Sequence, residues 1–91
     1  MKKNVIDFTN VSVETGIDEF TSMDVSKAVG NAIHRGTGDL GIDEIARKIY
    51  HDGCVTLSDE MKEMILPIIE NSNLVIGVKM AVRKLLSNNL K

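Results

Sequence analysis

The sequence has one cysteine, one proline, no tryptophan and only three other aromatics, Phe8, Phe20 and Tyr50. A lone Cys54 excludes an internal disulfide, and a small domain without that staple suits a reducing compartment. With so few aromatics the core must rest on Val, Ile, Leu, Met and Ala, and a hydrophobic fraction of 43% is enough to build one. Long apolar runs are missing as well. Met64-Ile65-Leu66 is broken by Pro67 before Ile68-Ile69, far short of the roughly 20 residues that a membrane span needs. Near the start, Lys2 and Lys3 lead, but Asp7 interrupts before an apolar run develops, so no signal peptide is expected. A net charge of −2 offers no electrostatic reason to expect a nucleic-acid binder. These absences predict a cytoplasmic chain with no membrane association. Its 91 residues predict a single domain, 1–91, of modest stability.

What is present reads as α+β: an N-terminal β-hairpin and one short strand, packed with about four helices. Residues 4–23 have no helical period. Val11-Ser12-Val13-Glu14 alternates apolar and polar as a half-buried strand does, Thr15-Gly16 breaks the run, and 17–23 reads as a second strand. Val25, Ala28, Val29, Ala32 and Ile33 then mark one face of a helix over 24–35. Asp24 is its expected N-cap and Gly36 its stop. Gly30, inside that helix, is either a tolerated defect or a point of close approach. Ile42, Ile45, Ala46, Ile49 and Tyr50 mark a second helix over 42–52, starting at Gly41 and ending at Gly53. Asp43–Arg47 and Glu44–Lys48 stand at i,i+4 with the acid first, the favourable order.

Residues 54–57 are β-branched and alternating, and predict a brief strand able to pair with the hairpin. Ser58 caps a third helix over 59–71, with Asp59 and Glu60 in its first turn. Met61, Met64, Ile65, Ile68 and Ile69 are its expected buried stripe. Pro67 lies on its polar side and predicts a kink rather than a break. A last helix covers 73–88. Together these stripes place Val25, Val29, Ile33, Ile45, Ile49, Ile65, Ile69, Val78, Val82 and Leu85 in one core.

The chemical constellations are thin. His51, Asp52 and Cys54 are close in sequence, but with His34 they give three N/S ligands in all, whereas a structural zinc site wants four in paired spacings. No metal is predicted. Cys54 with His34 or His51 is a conceivable nucleophile pair, yet nothing in the sequence orients either histidine. Gly36-Thr37-Gly38 matches neither a P-loop nor a dinucleotide fingerprint. The carboxylate pairs Asp43/Glu44 and Asp59/Glu60 sit in first turns, where helix capping accounts for them. No catalytic residue, cofactor or cofactor-binding residue is predicted, and the chain is read as not an enzyme. Ile45-Ala46-Arg47-Lys48-Ile49, a glycine turn and another helix resemble a degenerate helix-turn-helix. The helix in the recognition position carries Asp59, Glu60, Glu63 and Glu70 against Lys62, the wrong sign for phosphates.

Charge is uneven along the chain. Residues 54–70 sum to −3 and residues 71–91 to +4, which is accounted for if the last two helices pack antiparallel with attracting rims. The last helix also holds more apolar residues than one face takes. Ile76 and Met80 lie one turn apart on the side away from the core, between Arg83 and Lys84. Two adjacent apolar residues ringed by basic ones mark an interface, so Ile76, Met80, Arg83 and Lys84 are the candidate site. Gly77 beside them is expected to let a second subunit approach.

Three stretches carry a resemblance: Asp24-Val25-Ser26-Lys27-Ala28-Val29-Gly30-Asn31-Ala32-Ile33, Ile45-Ala46-Arg47-Lys48-Ile49-Tyr50 and Val55-Thr56-Leu57-Ser58-Asp59-Glu60. In these and in Asn71-Ser72-Asn73-Leu74-Val75, the chain resembles a group of small proteins of bacteriophages and mobile elements from gut bacteria. That resemblance implies an accessory protein acting in a bacterial cytoplasm and carries no residue roles. The sequence therefore predicts a non-enzymatic protein-interaction or assembly module. Its partner is a protein, either itself in a weak homodimer or an acidic protein. The alternative is a nucleic-acid-associated regulator.

Overall fold

A computed structural model describes residues 5–88. The element order is β1 (Val5–Asp7), β2 (Val11–Gly16), β3 (Glu19–Met23), α1 (Ser26–Gly36), α2 (Leu40–Asp52), β4 (Cys54–Thr56), α3 (Asp59–Glu70) and α4 (Ile76–Asn88). The fold is α+β, with four helices and two antiparallel strand pairs among the described residues. Asn4, the expected first residue of the hairpin, and Lys91, part of the basic count, lie outside them.

The hairpin is shorter than 4–23. It joins β2 to β3, with Val11 opposite Met23, Val13 opposite Thr21 and Glu14 opposite Phe20, and an irregularity between Glu14 and Gly16. The turn falls on Ile17 and Asp18 rather than on Gly16. Asp18 takes a φ of 63° while its amide donates to the Glu14 carboxylate at 2.8 Å. Asp tolerates that left-handed geometry better than most residues, which moves the turn off the glycine. The short strand Cys54–Thr56 is present but does not extend the hairpin. It pairs with β1, Val5 opposite Thr56 and Asp7 opposite Cys54, in a separate sheet.

Phe8 ties these parts together. Its amide donates to the carbonyl of Gly53 at 2.7 Å, its own carbonyl accepts from Val25 at 2.8 Å, and its ring is buried. Around it the short polar residues satisfy the backbone at the chain reversals. Asp7 accepts from the amide and hydroxyl of Thr9. Asp24 accepts from the amide of Ser26 at 2.9 Å and from its hydroxyl at 2.6 Å. In each case the side-chain hydrogen bond and then the backbone one hold the carboxyl below its ordinary value of 3.8.

Several helix starts differ from the expected ones. Val25, not Asp24, occupies the N-cap of α1 and, having no polar side-chain atom, makes no side-chain cap bond, while Asp24 one residue earlier accepts from Ser26. Asp39, not Gly41, caps α2, accepting from the amides of Gly41 and Ile42. A carboxylate two residues earlier displaces the weaker glycine start. Gly53 ends α2 as expected, with a φ of 80° and its amide on the Ile49 carbonyl. Ser58 caps α3 through Met61, and α3 continues through Pro67 as one helix.

The core is continuous across both strand pairs and all four helices. Of the residues expected in it, all are buried except Leu85, which is half-buried against it, while Leu86 is fully enclosed. The stripe on α3 is rotated from the expected one. Lys62, Ile65 and Ile69 face inward, at i, i+3 and i+7, while Met61 and Met64 are exposed. Lys62 is 0% exposed. Its ammonium lies 3.6 Å from Asp59, a turn earlier and in contact with solvent, so the aliphatic stem packs as a core side chain does.

Candidate interaction surface

α4 is fixed to β2 at Gly77. A Cβ there would overlap the carbonyl of Glu14 and crowd Val13, so only glycine lets the helix lie this close. The approach expected between subunits is thus made inside the chain. With Gly77 and Val78 buried, helical geometry turns Ile76 and Met80 outward, and they are 71% and 52% exposed. Val75, just before the helix, is exposed beside them.

The hairpin supplies the other wall. Phe20 is 63% exposed. It stands opposite Glu14 in the register of β2 and β3, on the face that also carries Ser12 and Ser22. Phe20 and Glu14 from the hairpin and Met80 and Lys84 from α4 line one groove of about 310 Å³. Among the candidate residues, Met80 and Lys84 line this groove, and Ile76 is exposed one turn before Met80. Arg83 turns the other way, its Nε 3.4 Å from the Glu70 carboxylate. Lys79 donates to the Glu70 carbonyl at 3.2 Å. The acidic end of α3 therefore meets the basic side of α4, as attracting rims require.

Sequence reasoning did not single out Phe20. The available signal was its parity. In β3 it alternates with Thr21 and shares a side with Ser22, so a bulky aromatic falls on the polar face of a two-stranded sheet.

The other candidate groups are placed as follows. Cys54 is exposed on β4. Among the described residues, no cluster of three or more His, Cys, Asp and Glu side chains could hold a metal ion. None of their helices is long and apolar enough to cross a membrane. One expectation is overturned: Asp43 orients His34, accepting from its Nδ1 at 2.5 Å. Asp43 also accepts from Arg47 at 3.0 Å, the i,i+4 pair expected from the sequence. Compared with known proteins, the chain matches no family model, no curated protein and no solved structure.

Proposed function

We propose that this chain is a non-enzymatic accessory module for protein interaction or assembly, and that it self-associates weakly through α4 and the hairpin. The observation that carries the reading is the meeting of Phe20 and Met80, far apart in sequence, on one groove. Burying apolar surface is favourable by roughly 25 cal/mol per Å². Ile76, Met80 and Phe20 are all partly exposed to water in the monomer.

Charge favours a second copy as the occupant. Lys84 and Glu14 line the same groove. In a two-fold contact each residue of one subunit meets its counterpart's surroundings reciprocally, so Lys84 of one subunit can face Glu14 of the other. The small patch and its charged rim make the association weak. An acidic protein partner is the rival occupant. The resemblance carried by residues 24–33, 45–50 and 55–60 supports an accessory role in a phage or mobile element, acting in a bacterial cytoplasm.

Sedimentation equilibrium tests the reading. The wild type is expected to dimerise at high micromolar concentration, and Ile76→Glu with Met80→Glu to remain monomeric. A monomeric wild type removes the homodimer, and a dimer that survives both glutamates removes this surface.

A further inference from the structure

A second groove lies over α1 and α2 and shares no lining residue with the groove of the interaction surface. α1 and α2 cross closely at Gly30. A Cβ there would meet the carbonyl of Ala46 at 2.8 Å and the Cβ of Tyr50 at 2.9 Å. The second of the two expectations for Gly30 is therefore the one realised. From this crossing the helices run antiparallel, with Lys27 over the Tyr50 ring at 5.0 Å and His34 against Asp43 at the other end. Above the crossing is a pocket of about 200 Å³ whose polar lining comes from Asn31, His34, Arg47, Tyr50 and His51.

No carboxylate lines this pocket. Asp43, which does not line it, has both oxygens engaged by residues that do, Oδ1 by Nδ1 of His34 and Oδ2 by Nε of Arg47. First the His34 hydrogen bond and then that of Arg47 hold its carboxyl below 3.8, so it stays a charged anchor for both. With these contacts made, Arg47 keeps its two terminal nitrogens to donate to a ligand, and Nε2 of His34 joins them as a donor in the imidazolium form, since in the neutral ring with Nδ1–H on Asp43 it carries only a lone pair. One carboxylate thereby pre-sets both side chains on the lip of one cavity, at low ordering cost to a ligand. Guanidinium terminal nitrogens match the paired oxygens of carboxylates and phosphates. The cavity is smaller than the roughly 300–1,000 Å³ of ordinary small-molecule sites, which limits the recognised part to a single group.

We infer that this groove over the α1/α2 crossing is a binding site for one oxyanionic group, phosphoryl or carboxylate, held by the terminal nitrogens of Arg47 and by Nε2–H of the His34 imidazolium.

The test is a nuclear magnetic resonance titration of the full chain with inorganic phosphate, with acetate and with chloride at matched ionic strength. Phosphate or acetate is expected to shift the His34, Arg47 and Tyr50 signals saturably in the low millimolar range, and chloride is not. The tighter of the two assigns the ligand's source as phosphoryl or carboxylate. Arg47→Gln should weaken binding by about tenfold or more, the loss of a charge-assisted contact, while Arg35→Gln, outside this pocket, should not. Shifts that grow with ionic strength alike in all three salts overturn the site, as does unchanged saturation in Arg47→Gln. If Arg47→Gln disturbs signals beyond α1 and α2, His34→Gln takes its place, with the same weakening expected and unchanged saturation again overturning the site.

Discussion

Gly77 faces the carbonyl oxygen of Glu14 with no room for a side chain between them. α4 is thus held on β2 by backbone against backbone. Gly77→Ala must push the helix off the strand, and overpacking of this kind costs about 1–3 kcal/mol or more. Gly38 gives the control, since a Cβ there would meet nothing within 4 Å. Gly38→Ala should be neutral or slightly stabilising. Urea unfolding of the two variants checks the contrast, and equal midpoints would show that α4 is free to shift.

Lys62 offers a second test. Its stem fills core space beside Ile65 and Ile69. Truncation to alanine leaves a cavity and should cost roughly 2–5 kcal/mol. Lys62→Met keeps most of the volume and should cost less than the alanine variant. Chemical denaturation of both variants decides whether the packing or the charge of this residue matters to the fold.

Pro67 is exposed within α3, and its ring forgoes one helical hydrogen bond. Pro67→Ala should be neutral or stabilising. A thermal melt showing a loss above about 1 kcal/mol would mean that the proline's own shape is needed for packing.

The depressed carboxyl of Asp43 sets an acid dependence. A group whose pKa is lowered on folding contributes stability that is present above its ordinary value of 3.8 and lost as pH falls through the lowered value. Asp43→Asn should therefore lower the melting temperature at neutral pH. The deficit should shrink below about pH 4 and vanish once the wild-type carboxyl is protonated. Melting temperatures of both proteins across that range check the sign.

Most of the helical framework was legible in the sequence because it depends on local spacing. Val25, Val29 and Ile33, or Ile45 and Ile49, have one buried face to choose, and they took it. Ser58 and Gly53 carry their own end signals, and both acted. What failed was decided by partners distant in sequence. β4 met β1 rather than the hairpin, since periodicity says that a strand exists but not which edge it joins. α3 turned by one position to bury Lys62 instead of Met61, because contacts with the rest of the core fix a helix's rotation. The candidate surface was legible in its α4 half, Ile76 and Met80, and not in its hairpin half. Phe20 comes to the same groove as Met80 through the packing of α4 on β2.

The pairing of β1 with β4 also sets an order in time. A ribosome releases the chain from its first residue. β2 with β3, and then α1 with α2, can join from neighbouring sequence as they emerge, and closing such short loops is fast. β1 emerges before the other described elements, yet its partner strand lies beyond α2, and pairing across so long a loop is slow to form. Until Cys54–Thr56 clears the exit, Ile6 has no strand beside it. A strand made early is thus among the last to be secured, and for that interval its edge is open to other chains.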